Sequence, residues 1–256
     1  HPTAYILMVA FLGLSLFLAF RSIYALSLAS LRPLFDLLPW LFAVFIPALT
    51  MRSVAEEKRT GTIEWLSSYP LGELEILMGK LIGNWFFVML SLAGTLPMAL
   101  GVFLLSDADP GIMLAQYIGA SLLAMQGVAI GLWASTATKN QVTAFILATS
   151  VSFALVFIGT PVVLYGLTPF LGTALSRLSV MGHFENVARG VIDLRDIVYF
   201  LSTAGLFVAM AVGLLVKQRL SEQRESYKRL RAGIAISLGL VVVTNLLGGN
   251  IGGRVD

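Results

Sequence analysis

Long uncharged apolar runs alternate with short charged connectors along this chain. Seven runs can be drawn: Thr3–Phe20, Leu37–Met51, Leu81–Ser106, Gly111–Thr138, Gln141 to about Gly166, Ile197–Val216 and Ala232 to about Asn250. Most approach the ~20 residues that a helix needs to cross a bilayer. The second is the shortest, lies between Asp36 and Arg52, and holds Pro39 and Pro47. The third and fourth carry no charge, and Pro161 falls near the end of the fifth. Apolar positions are continuous rather than alternating, which favours helices over barrel strands. Inside lipid, a helix also pairs every backbone polar group within its own segment. The pattern predicts an all-α membrane protein.

Composition strengthens that reading. The 256 residues are 57% hydrophobic and 12% charged, whereas soluble domains carry about 25% charged residues. The net charge of +3 is spread over short loops, which argues against a nucleic-acid partner. There is no cysteine, so disulfides and cysteine-based metal or redox sites are excluded. Two histidines, His1 and His183, are too few for a histidine metal cluster. His1-Pro2 runs directly into an apolar segment with no basic stretch before it, which does not fit a signal peptide; the expectation is a chain whose start lies upstream.

Lysine and arginine set the expected orientation. With the N-terminus in the cytoplasm, the inner side holds 11 basic residues, every lysine among them, and the outer side holds 6. Seven spans then leave the C-terminus outside. Small residues recur four apart in three spans: Gly127, Gly131 and Ser135; Ala144, Ala148 and Ser152; Gly205, Ala209 and Gly213. Such stripes let helix backbones approach closely, within one subunit or at a moving or dimeric interface. No span holds a charge near its centre, which weakens the case for an ion-coupled transporter. Asn84, Gln116, Gln126, Thr143, Ser150 and Ser152 are polar positions within spans. Gln126, with Gly127, Gly131 and Thr143, marks either a translocation path or helix packing.

The densest charge in the first two hundred residues lies between the second and third runs, from Arg52 to Glu64. The second span is expected to continue as a helix to Gly61, with Arg52–Glu56 and Glu56–Arg59 pairing along one face. Gly61 offers a helix stop. Thr62–Tyr69 is expected to form a short helix edged by Trp65 and ended by Pro70, before Glu73, Glu75 and Lys80 lead into the third span. A solvated loop would carry such charges too.

The run TMRSVAEEKRTGTIEWLSSYPLGELEILMGK resembles the signature of type 2 ABC-exporter permeases, and more closely the GldF/NosY-like branch. The matching residues are Pro47, Leu49, Thr50, Met51, Arg52, Ala55, Glu56, Glu57, Lys58, Gly61, Thr62, Ile63, Glu64, Leu66, Pro70, Gly79 and Lys80. Ala129–Leu132, Asn140-Gln141 and the stretch from His183 to Ser202 add to it. The resemblance covers nearly all of residues 1–216 in order. It implies a six-span permease bundle forming half of a pore, with a cytoplasmic segment at 52–80. Within it Glu56, Glu57, Lys58, Arg59, Gly61, Thr62, Ile63, Glu64, Trp65 and Leu66 would dock on a separate ATPase, present in two copies. ATP and magnesium would be bound there, since this chain has no phosphate-binding GxxxxGK[ST] loop. A second permease copy or a paralogue would complete the path, in the bacterial inner membrane. No catalytic residue and no bound cofactor are expected in this chain.

Residues 217–231 form a basic linker, net +4 from six Lys/Arg against two Glu, suited to anionic lipid head groups. The seventh run and the tail, 232–256, resemble the opening of a GldG-like auxiliary component whose main domain lies outside the cytoplasm. The longest outer segment, 167–196, places Glu185, Arg189 and Asp193 four apart, as in a surface helix with internal ion pairs. An outer gate or a docking face for the auxiliary domain is the other use. His183 and Glu185 alone are weak evidence for a metal. Two functions follow from the resemblance. One is an ATP-driven exporter; the other is a mechanical transmitter that drives an outer domain and moves no solute.

Overall fold

The computed structural model describes residues 2–26, 30–62, 72–106, 109–166, 168–191 and 193–219, with five further positions between 235 and 245. Among these, all regular structure is helical. The long helices are α1 (Pro2–Leu26), α2 (Arg32–Thr50), α4 (Glu73–Ala93), α6 (Pro110–Ala137) and α11 (Leu194–Arg219). Between them lie α3 (Ala55–Thr60), α5 (Leu96–Leu105), α7 (Gln141–Phe157), α8 (Pro161–Leu164), α9 (Pro169–Leu178) and α10 (Val180–Ala188). Five stretches are long and apolar enough to cross a membrane, and α7 is a shorter apolar helix. Chain direction alternates, so α3 sits at one end of the bundle and α8, α9 and α10 at the other.

Three expected spans differ in extent. The second starts at Arg32, before the apolar run, because Pro33 suits the first helical turn and Arg32 pairs with Asp36 at 3.6 Å. The third runs from Glu73 to Leu105 and starts before the apolar run; its helix is interrupted at Gly94 and Thr95, just before Pro97, which lacks an N–H to bond the preceding turn. The fifth ends at Phe157, nine residues before Gly166, and Ser179, not a continuous helix, starts α10 by accepting from Met181 and Gly182 N–H. The seventh run and the basic linker lie almost wholly outside the described residues.

The central helix is α6. Most of it is buried, and it packs on α2, α4, α7, α10 and α11. It is N-capped by the Asp109 carboxylate, which accepts from Gly111 N–H at 2.7 Å. By contrast α1 leaves Tyr5, Ile6, Val9 and Phe17 about two-thirds exposed, an apolar face suited to lipid or another membrane helix.

Two of the small-residue stripes face this core. A Cβ added at Gly127 would come within 2.9 Å of Ile46 Cδ1, and one at Gly131 would overlap the Thr50 side chain. These glycines let α6 lie directly on the last two turns of α2. Ala144 and Ala148 are likewise buried, whereas Gly205 has open space around it. Gly131→Ala should therefore cost about 1–3 kcal/mol through overpacking. Gly205→Ala should stabilise by about 0.5–1 kcal/mol through helix propensity. Thermal unfolding of the two variants in one detergent checks the pair; equal melting temperatures would refute the packing asymmetry.

Candidate functional site

The charged loop is built on the end of α2. Thr50 Oγ1 donates to the Ile46 carbonyl at 2.8 Å and the chain then turns through residues 51–54. The expected continuous helix from Arg52 is thus replaced by a turn and a new helix, α3. The turn is held by one side chain of α6. Ser135 Oγ accepts from Val54 N–H and Ala55 N–H, each at 3.0 Å, and donates to the Met51 carbonyl at 3.0 Å. The amides that would have continued α2 are used up by that hydroxyl, which is why the helix stops there.

Within α3, Glu56 and Glu57 stand in the first turn and Lys58 and Arg59 in the last, the order that suits the helix dipole. Gly61 ends the helix in the left-handed region at φ 74°, as expected from sequence. Glu56 and Arg59 approach to 4.0 Å, but Arg52 forms no ion pair among the described residues. Lys58 is buried, and its Nζ donates to the Thr136 carbonyl of α6. From α4, Lys80 Nζ donates to the Ser53 carbonyl at 2.7 Å and pairs with Glu57, while Asn84 Nδ2 donates to Ser53 Oγ at 3.2 Å. Thr60 and Thr62 join their hydroxyls at 2.9 Å on the exposed side. So α3 is clamped to α6 through Ser135 and Lys58, and to α4 through Glu57. It presents Arg59, Thr60 and Thr62 outward. Ile63, Glu64, Trp65 and Leu66 lie outside the described residues.

The mid-span residues separate. Gln126 is 1% exposed, and among the described residues neither amide atom has a hydrogen-bond partner, although the Tyr199 hydroxyl stands nearby. It shares a cavity of about 20 Å³ with Ser152. Gly127 and Gly131 pack on α2, whereas Thr143 is exposed near the start of α7. Thr143 therefore does not share a lining with Gln126.

At the opposite end, α10 is tied into the bundle. Gln116 of α6 donates to the Ala188 carbonyl at 2.7 Å. His183 Nδ1 meets Asp196 Oδ1 at 2.7 Å and Nε2 meets the Arg177 carbonyl at 2.9 Å. The Arg177 carbonyl can only accept, so Nε2 donates to it. The ring also stacks on Tyr199, with centroids 4.1 Å apart, and the Tyr199 hydroxyl donates to the Leu178 carbonyl at 2.7 Å. Both ring nitrogens are engaged within the protein, and no metal-ligand cluster forms among the described residues. Glu185 and Arg189 form the expected pair at 2.5 Å. The ladder does not reach Asp193, because α10 stops at Ala188 and Gly190 turns the chain at φ 88°; Asp193 stands 3.9 Å from Arg195 instead.

Sequence reasoning missed Asp196 as a buried partner and Ser135 as a clamp. The apolar run that begins at Ile197, directly after Asp196, was the available signal for the first. For the second there was only the small-residue stripe, which does not distinguish a packing serine from a bonding one.

The chain is 35% identical over 105 residues to the probable multidrug ABC transporter permease YbhS of Escherichia coli strain K12, and equally to that of Escherichia coli O157:H7. The shared stretch covers 41% of this chain and 27% of each relative's length. Residues 14–248 match the family described as ABC-2 family transporter protein. A helical bundle with five stretches long and apolar enough to cross a membrane, matched along nearly its whole length, places this chain in the ABC-2 transporter family as a multi-pass membrane protein.

Proposed function

We propose that this permease is the membrane half of an exporter driven by a separate ATPase, and that α3 with the residues after it receives the ATPase movement. The supporting observation is the double clamp. An element that presents charge outward yet is bonded to α4 and α6 can pass a displacement to two spans at once. A freely solvated loop would dissipate it. In this reading the α3 end faces the cytoplasm, as the basic-residue bias indicates. Two ATPase copies hold ATP and magnesium, and a second permease copy or paralogue completes the path. The N-terminus is cytoplasmic and the C-terminus extracytoplasmic, in a bacterial inner membrane. The affinity with the GldF/NosY-like branch, and an auxiliary region after residue 231, belong to the same proposal.

Glu57 and Lys80 offer a direct test. In the reconstituted permease–ATPase complex, Glu57→Lys should lower transport per ATP hydrolysed on the order of tenfold, the effect of about 1.4 kcal/mol. Adding Lys80→Glu should restore most of it by re-forming the pair in reverse. Glu64→Lys tests the residues after α3. Normal assembly and normal coupling in Glu57→Lys with Glu64→Lys would defeat the proposal.

A further inference from the structure

Between α1, α3 and α4, at the end of the bundle where apolar surface gives way to charge, lies a cavity of about 460 Å³. That volume falls in the range of small-ligand sites, about 300–1,000 Å³. Its walls are of two kinds. Leu7, Leu49 and Phe87 supply an apolar side, which continues into the lipid-suited surface of Ile6 and Phe86. Arg52 and Glu56 supply a charged side. Other charges nearby are spent: Glu57 is paired with Lys80, and Lys58 is bonded to the Thr136 carbonyl. Arg52 is not, since its buried Nε–H has no acceptor. Glu56 has only Arg59 at 4.0 Å, on the exposed side. The cavity thus carries one unmatched guanidinium and one loosely matched carboxylate, one helical turn apart, beside a greasy wall.

We propose that this cavity binds a membrane phospholipid with a zwitterionic primary-amine headgroup, phosphatidylethanolamine being the representative. Its phosphate meets Arg52, its ammonium meets Glu56, and its acyl chains run out over Leu7 and Phe87. A single anion would leave Glu56 opposed, and a simple cation would leave Arg52 opposed; a headgroup carrying both charges satisfies both. Guanidinium–phosphate and ammonium–carboxylate contacts are charge-assisted and strong in such a half-dry setting. The occupied cavity would put a lipid directly beneath α3. This inference needs only the membrane location and is independent of any ATPase.

The full chain, purified in mild detergent, is offered phosphatidylethanolamine, phosphatidylcholine and phosphatidylglycerol, and bound lipid is read by native mass spectrometry. Phosphatidylethanolamine should be retained best. Arg52→Gln should lower its retention by about tenfold, and Arg52→Lys by less, because a cation remains. Glu56→Gln should erase the preference over phosphatidylcholine, whose quaternary amine donates no hydrogen bond. A photoreactive phosphatidylethanolamine should label the segments containing Leu7 and Phe87. Labelling elsewhere, an unchanged lipid profile in both Arg52→Gln and Glu56→Gln, or labelling replaced by a segment of the chain itself would overturn it. Competition by free glycerophosphoethanolamine as strong as by the lipid would overturn the membrane source.

Discussion

Ser135→Ala is expected to lower stability by about 3 kcal/mol and the melting temperature by roughly 10 °C. The reason is the number of groups on one hydroxyl. Val54 and Ala55 N–H lose their acceptor, and the Met51 carbonyl loses its donor, all in a buried corner. Each orphaned group costs about 1–3 kcal/mol, and relaxation of the turn recovers part of the total. Ser150→Ala, on an exposed face of α7, should change stability by less than about 0.5 kcal/mol. Thermal unfolding in detergent gives both numbers. A Ser135→Ala protein as stable as the Ser150→Ala control would mean that the turn does not depend on the clamp. In the proposed complex with a separate ATPase, the same variant should give less transport per ATP hydrolysed, since α3 then has one fewer connection to α6.

At the other end, His183→Ala is expected to cost about 3–5 kcal/mol. Asp196 is 2% exposed, and its Oδ1 depends on His183 Nδ1, while Oδ2 is buried without a partner. Truncating the ring leaves a carboxylate in an apolar corner with nothing to balance it. The Arg177 carbonyl loses its donor and Tyr199 its stacking partner as well. Asp196→Ala in the His183→Ala background should recover part of the loss, because removing both members of a buried pair costs less than stranding one. The four melting temperatures form a double-mutant cycle. Additive losses would show that the two side chains do not act as a pair.

Sequence alone carried the class and most of the span positions, because an uncharged run of twenty residues has few destinations besides lipid. It also placed Gly61 at the end of a helix and paired Glu185 with Arg189, since both depend on near neighbours in the chain. What it lost depends on distant partners. Thr95 looks like an ordinary span residue, yet its hydroxyl meets Tyr117 of α6 at 2.8 Å. Lys58 reads as a solvated charge and is buried, because α3 folds back onto the end of α6. Asp196 reads as the wet start of a span and is enclosed by a histidine thirteen residues earlier.

The brevity of α7 bears on the surrounding membrane. Its 17 residues rise about 26 Å, against a hydrocarbon thickness of about 30 Å. The apolar stretch, however, does not end with the helix: Ile158 and then Pro161, Val162, Val163 and Leu164 of α8 carry it on past a turn. The remaining depth on this side is thus met by a broken rod, and the backbone groups at the break need partners that an unbroken helix would supply from within.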